Sequence, residues 1–287
     1  MKLHEPGAQN SIAKSLAPTL SWMLVGRRRI SLARKAIAYA NFLMGKGSGT
    51  GWDIDSEISA AVGTIFRRDP LIFDVGGNVG QWSQRIMEHV SPSHIYIFEP
   101  QPACQERIRT LNLPNTTLIA AGVGERAGTA QLYTSSETDL TASLHERNDS
   151  FFEDWKYQPS AIEIVTLDSF IAERGITFID FMKMDIEGHE LFALKGLQRS
   201  LTEGRVGAMS FEFSSGNLNS HTCFRDFWKV LSPKYSIYRV TPARKLIEIA
   251  GYYEDLEYFR GASNHIAVLK DHPYVPPGHR LSSTAEW

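Results

Sequence analysis

Leu71-Ile72-Phe73-Asp74-Val75-Gly76-Gly77-Asn78-Val79-Gly80 is the stretch on which the reading of this chain turns. The apolar residues around Asp74 predict a short strand buried on both faces. The glycines that follow let the backbone turn tightly and approach a ligand, because no Cβ intervenes. Gln81-Trp82-Ser83-Gln84-Arg85-Ile86-Met87 then opens a helix. Strand, glycine turn and helix N-terminus in this order form the nucleotide-binding corner of doubly wound α/β folds.

Working outward, Ile95-Tyr96-Ile97-Phe98 predicts a second strand that ends at Glu99-Pro100. A helix is expected over 101–111 and a third strand over 116–121, closed by Gly122. This alternation argues for a parallel sheet of βαβ units. Gln131-Leu132-Tyr133 suggests an extra strand, and 134–160 is polar and aperiodic, with Phe151, Phe152, Trp155 and Tyr157 scattered in it. A loop of that length in a compact domain is functional or disordered. Further strands are expected over 162–166, 178–184, 206–213, 235–240 and 265–269, with helices from 167, over 188–200 and over 224–231. Upstream, a helix over 56–66 leads into Asp69-Pro70, which stops it. No internal repeat is present.

A dinucleotide fingerprint needs G-x-G-x-x-G, but from Gly76 the required glycine positions hold Asn78 and Gln81. The P-loop fails too, since no Lys-Ser or Lys-Thr follows the glycines. What remains is D-x-G-x-N-x-G. With Phe98-Glu99-Pro100, Val165-Thr166-Leu167-Asp168 and Lys183-Met184-Asp185-Ile186-Glu187-Gly188-His189-Glu190, this stretch resembles the FkbM-type family of class I S-adenosylmethionine-dependent methyltransferases. The resemblance runs from about Leu71 to Phe213, roughly half the chain. Gly77 departs from it, because alanine is commoner there, and this is expected merely to loosen the turn.

The resemblance implies a doubly wound, mostly parallel, seven-stranded Rossmann-like methyltransferase sheet with S-adenosyl-L-methionine across the carboxyl ends of its strands. Asp74, Gly76, Gly77, Asn78 and Gly80 are the expected donor corner, with Glu99 on the ribose hydroxyls and Pro100 fixing the exit. Ala121, Gly122 and Val123 would border the adenine. Glu187, His189 and Asp185, the last also expected to contact the cofactor, are the candidates for organising the acceptor and removing its proton. Alternatively, Asp185, Glu187, Glu190 and Glu212 are carboxylates for Mg²⁺. The implied activity is O-methylation of a small-molecule or glycan hydroxyl. N-methylation and a non-catalytic scaffold of the same fold are the alternatives. The loop over 134–160 either folds over the acceptor, with His145 and Arg147 meeting it, or is a surface loop pinned by its own aromatics. Tyr252, Tyr253, Tyr258 and Phe259 form a second pocket wall or simply core.

A chain of 287 residues with 43% hydrophobic and 22% charged residues suits one soluble α/β domain with additions. The formal net charge of -2 gives no reason to expect a nucleic-acid partner. Cys104 and Cys223 lie far apart without a CxxC pattern, so free thiols are expected. No apolar run reaches the ~18 residues of a membrane span, and no secretory signal pattern opens the chain. A cytoplasmic location is therefore expected, peripheral to the membrane if the N-terminal segment binds it. Up to Lys46 that segment carries Lys2, Lys14, Arg27, Arg28, Arg29, Arg34 and Lys35 against Glu5 alone, interleaved with apolar residues at helical spacing. Its helices either pack on the main domain or a second subunit, or lie on an anionic membrane. The expected organisation is a basic helical extension with a glycine-rich linker over 1–50, a methyltransferase domain over 51–272 and a tail over 273–287.

Overall fold

Successive apolar residues assign each central strand to two cores at once. Ile72, Ile95, Ile97 and Phe181 fall in one buried cluster, while Phe73, Val75, Phe98, Met182 and Met184 fall in another. Successive side chains on a strand point to opposite faces, so the sheet is covered on both sides. The computed structural model describes residues 9–47, 54–147, 156–258 and 261–271.

The chain divides into two compact units, Met1–Met44 and Gly45–Trp287. The first contains helices α1 (Gln9–Leu24) and α2 (Arg27–Leu43). The second runs α3 (Ile54–Val62), β1 (Leu71–Val75), α4 (Gln81–Ile86), β2 (His94–Phe98), α5 (Pro102–Thr110), β3 (Thr116–Ile119), β4 (Gly122–Val123), β5 (Gly128–Thr134) and β6 (Gln158–Val165). Then follow α6 (Leu167–Glu173), β7 (Ile179–Met184), α7 (Glu190–Lys195), α8 (Gln198–Thr202), β8 (Val206–Ser214), α9 (Gly216–Asn219), α10 (Phe224–Leu231), β9 (Tyr235–Val240), β10 (Leu246–Ile249), a 3₁₀ turn at Glu254–Glu257 and β11 (Ala262–Leu269).

The main sheet has the order β10-β9-β11-β8-β7-β1-β2-β3. From β8 to β3 every pairing is parallel, and β11, β9 and β10 add antiparallel pairings at the other edge. It is the doubly wound α/β sheet expected from the sequence, with eight strands rather than seven. The extra one is β10, which folds back on β9 as a hairpin edge with Leu246 opposite Val240. In β1 the register sets Asp74 beside Lys183 of β7 and Ile97 of β2. The carboxyl ends of β1, β2 and β7 thus meet at one edge.

Three expected elements come out differently. The strand over 116–121 breaks after Ile119, and Gly122–Val123 joins β5 and β6 in a separate three-stranded sheet. The helix over 188–200 is two short helices. Asp168 causes the second start: its carboxylate accepts from Arg199 N (2.8 Å), Ser200 N (3.0 Å) and Ser200 Oγ (2.6 Å), filling the role of an N-cap from another segment. The helix over 56–66 ends at Val62. In the glycine-rich linker, Lys46 is buried and paired with the Asp255 carboxylate, and Gly47 N donates to Ser263 Oγ, so this part belongs to the second unit. The rest of that linker, Phe151, Phe152, Trp155, Phe259 and the tail over 273–287 lie outside the described residues, as do Lys2 and Glu5. Cys104 and Cys223 are both free thiols.

The antiparallel half of the sheet buries His265 completely, its ring stacked on Phe211 at 5.4 Å between centroids. Burial, with Arg239 nearby, holds this imidazole well below the ordinary histidine range. The unfolded chain binds a proton near pH 6.5 and the folded chain does not, so stability falls as pH drops below that value. The slope from this one group is at most about 1.4 kcal/mol per pH unit. Replacing His265 with Phe should shrink the difference between the urea midpoints at pH 7 and pH 5. An undiminished difference would remove His265 as its source.

Candidate functional site

The turn after β1 is shaped by two close approaches. Gly76 has φ +84°, and a Cβ there would lie 2.0 Å from the Asp185 carbonyl oxygen, so only glycine lets the first and fourth core strands end side by side. Gly76 N and Gly77 N both donate to Phe98 O at 3.0 Å, and Asp185 N donates to Val75 O at 3.0 Å. A Cβ on Gly77 would come within 2.2 Å of Ile97 Cγ2, a buried methyl of the neighbouring strand. Gly77 therefore does more than loosen the turn: it makes room for Ile97.

This edge opens into a cavity of about 930 Å³, mouth included. Gly76, Gly77, Asn78, Glu99, Pro100, Gly122, Val123, Asp185, Glu187 and His189, all singled out in the sequence, line it. Asp74 and Gly80 do not. Asp74 is fully buried behind the turn, where its Oδ2 accepts from Ser83 Oγ at 2.6 Å and its Oδ1 lies 3.7 Å from Lys183 Nζ. Burial raises its pKa, and the Lys183 ammonium counteracts that rise. Gly80 caps α4 in the left-handed conformation, and its absent Cβ faces Leu111.

Glu99 is the polar anchor of one wall. Its Oε2 accepts from Asn78 N and its Oε1 from Gln101 N, each at 2.7 Å. Burial pushes its pKa up to about 7 against the pull of those donors. Each carboxylate oxygen retains a lone pair for another donor. Ala121, Val123, Leu132, Leu140, Ala142 and Ile162 supply an apolar slot beside it.

At the opposite wall stand the charged residues of the β7 end. Lys183 was quoted from the sequence without a role, yet a lysine set among the apolar Phe181, Met182 and Met184 was the available signal. Its Nζ is buried, 3.4 Å from Asp185 Oδ2, and donates to Gly76 O at 3.3 Å. Burial opposes its charge, but Asp185 and Asp74 outweigh that and hold its pKa above the ordinary value. Glu187 sits at φ +55°, a strained conformation for a side chain of this size, and pairs with the buried Arg147 guanidinium. Burial raises Glu187 to about 7, with Arg147 pulling down and Asp185 pushing up. Glu190 turns back to accept from Ile186 N (2.9 Å) and Gly188 N (3.1 Å), and burial raises it to about 8. It braces the loop rather than facing a ligand.

Carboxylate oxygens of Asp185, Glu187 and Glu212 lie within 4.8 Å of one another. Lys183 already faces Asp185 and Arg147 already faces Glu187, so protein cations answer two of the three charges. That reduces the electrostatic demand for Mg²⁺ there. Glu212 is buried in β8 with its pKa raised, first by burial and then by Asp185, and does not line the cavity. His189 Nδ1 lies 3.0 Å from His145 Nε2, and its ring stacks on Phe192. Burial, then His145, pushes His189 down to about 3. It is a neutral hydrogen-bonding ring with little basicity.

The loop after β5 folds over the cavity. Asp139 N donates to Gln101 Oε1 at 3.1 Å, and Asp139 O accepts from Asn78 Nδ2 at 3.2 Å and Gln101 Nε2 at 3.0 Å. Its carboxylate binds the N–H and hydroxyl of both Ser135 and Thr141 at 2.6–2.7 Å. Sequence reasoning missed Asp139. His145 and Arg147 meet His189 and Glu187 instead of lying free. Tyr252 packs against the core, whereas Tyr253 and Tyr258 are exposed and away from the cavity.

Residues 74–232 match the model of the methyltransferase FkbM domain. The 2-O-methyltransferase NoeI of Sinorhizobium fredii is 27% identical over 158 residues, 50% of this chain and 64% of that protein. The methyltransferase sdnD of Sordaria araneosa is 27% identical over 157 residues, 45% of this chain and 61% of that protein. The chain thus spans less than two thirds of the length of these curated relatives. The crystal structure of methyltransferase FkbM from Methylobacillus flagellatus is 16% identical, with a TM-score of 0.44, covering 72% of this chain and 47% of that one.

Gly77→Ala tests the turn directly. Overpacking of a buried methyl costs about 1–3 kcal/mol, so the thermal midpoint should fall. Ile97→Ala removes that Cγ2, so Gly77→Ala should cost less in an Ile97→Ala background than in the parent. Equal stability of Gly77→Ala and the parent would overturn this account.

Proposed function

The chain belongs to the FkbM methyltransferase domain family, and from that premise we propose that it transfers the methyl group of S-adenosyl-L-methionine to a hydroxyl oxygen of a small-molecule or glycan acceptor. The observation that carries the donor side is Glu99: a buried carboxylate on the cavity wall, held by two backbone N–H groups and with acceptor capacity left over. Such a group suits two adjacent ribose hydroxyls. The apolar slot of Ala121, Val123, Leu140 and Ile162 suits a flat adenine ring, and Gly76–Asn78 lets the backbone close on the methionine portion. Asp185 places negative charge on the wall that a sulfonium would face. The residues present therefore fit the cofactor.

When bound, the cofactor supplies an electrophilic methyl carbon on a positively charged sulfur. The chain's own residues orient the acceptor and take its proton. Of the three residues expected to do so, Glu187 is best matched: a base works best with its pKa near the operating pH, and Glu187 lies at about 7. His189, at about 3, is too weak a base and serves as a neutral partner on the same wall. Asp185 is held by Lys183 on the wall that the donor would face. Arg147 fixes the Glu187 carboxylate through its Oε2 on the wall that the acceptor hydroxyl would meet. A hydroxyl acceptor agrees with the name of the relative NoeI, a 2-O-methyltransferase, at 27% identity.

Calorimetric titration with S-adenosylhomocysteine tests the donor side. The parent should bind, and Glu99→Ala should bind about 10- to 100-fold more weakly, the loss of charge-assisted hydrogen bonds. No binding by folded parent protein would overturn the reading. On the acceptor side, Glu187→Gln should bind S-adenosylhomocysteine normally but lower kcat by roughly 10²- to 10⁴-fold on a hydroxyl acceptor that the parent methylates. An unchanged kcat would remove Glu187 as the base.

A further inference from the structure

The first unit carries exposed apolar side chains on both of its helices. On α1, Leu16, Leu20 and Met23 recur at helical spacing and so share a face, and each is at least 50% exposed. On α2, Leu32, Tyr39 and Leu43 share one face and Ile30 and Ile37 lie about 150° around the helix, with exposures from 47 to 71%, and Ala33, Ala36 and Ala40 fill the arc between them. Trp22 and Val25, at the corner between the helices, are 75 and 71% exposed. Exposed apolar groups scattered singly are ordinary, but a contiguous set of this kind marks an interaction surface.

Charge identifies the occupant. No acidic residue occurs between Glu5 and Asp53, while Lys14, Arg27, Arg28, Arg29, Arg34 and Lys35 all do. At about 100° per residue, Arg28, Arg34 and Lys35 fall on one side of α2, and Leu32, Ala33, Ala36, Ile37, Ala40 and Leu43 on the other. Arg29 breaks this division, but its guanidinium donates to Met23 O at 2.8 Å, beside the exposed Trp22. A second copy of this surface would bring like charges together with no acid within the segment to answer them. An anionic bilayer offers both an apolar layer and phosphates, which long basic side chains reach by extending along it. No described helix is long and apolar enough to cross a membrane.

We propose that α1 and α2 lie in the surface of an anionic lipid bilayer, with Trp22, Leu32 and Ile37 entering the headgroup–acyl boundary and Arg28, Arg34 and Lys35 binding lipid phosphates. This holds whatever the acceptor in the second unit. The partner is recognised by surface charge and not by one headgroup.

Flotation of the full chain with vesicles tests it. The chain should float with vesicles of equal parts phosphatidylcholine and phosphatidylglycerol and stay behind with phosphatidylcholine alone, and high salt should weaken binding at least tenfold. Arg28→Glu with Arg34→Glu and Lys35→Glu should weaken it on the order of a hundredfold, while S-adenosylhomocysteine binding by the second unit stays unchanged. Leu32→Ser with Ile37→Ser should also weaken it, on the order of tenfold. No flotation at low salt, or equal flotation with both vesicle types, would overturn the proposal. So would a dimer in sedimentation equilibrium that Leu32→Ser with Ile37→Ser dissociates, since a second copy would then cover the face.

Discussion

One buried ammonium holds the site together. Lys183 Nζ lies 3.7 Å from Asp74 Oδ1 and 3.4 Å from Asp185 Oδ2, and it donates to the carbonyl of Gly76. An isolated ion taken this deep would lose its hydration without return, so the cation needs both carboxylates and the carbonyl. In meeting that need it joins the strand in front of the glycine turn, the turn itself and the end of β7. Asp74 acts from behind the turn, where it also holds Ser83 in the first helix after the turn. Asp185 acts from the cavity side. Removing either carboxylate would leave a buried positive charge half compensated, which is costlier than never having built the pair.

This arrangement explains which parts of the site the sequence made legible. The glycine turn is a local feature with strict steric needs, so the residues around Gly76 identify it unaided. Glu99 was legible because it ends a strand about twenty residues beyond the glycines, a spacing that the fold converts into proximity. Asp74 was legible as important but not as hidden. A carboxylate at a strand end looks from the sequence like a ligand contact, and only the packing shows that Ser83 and Lys183 claim it. Lys183 itself stood in plain view. Asp185 follows it two residues later, but Asp74 lies on another strand, and no local pattern announces that long-range ion pair.

The main strands were equally legible, because burial on both faces writes continuous apolar runs. What escaped were features set by partners distant in sequence. The strand over 116–121 divides because Gly122 and Val123 pair with Ile164 and Val165 of another sheet. The helix over 188–200 restarts because Asp168 supplies the acceptors for the second helix. Asp139 had no signal at all: it lies in a polar, aperiodic stretch, and its value comes from the backbone it offers to Asn78 and Gln101.

The segment around Asp139 also changes how the two sides of the cavity relate. Its first part is bonded to Asn78 and Gln101, beside Glu99, and its later part reaches Glu187 and His189 through Ser143, Arg147 and His145. One stretch of chain therefore touches both the Glu99 wall and the Glu187 wall of the cavity. A Glu187 backbone at positive φ is stable only if its surroundings over-determine it, and Ser143 Oγ on its carbonyl with Arg147 on its carboxylate does so. Burial disfavours the charged form of each neighbour on this loop, and so it moves them in opposite directions: it raises the Glu187 carboxyl, which Arg147 partly pulls back, and lowers the His189 imidazole. The covering of the loop supplies the burial, and the acid or base nature of each side chain sets the sign of its shift.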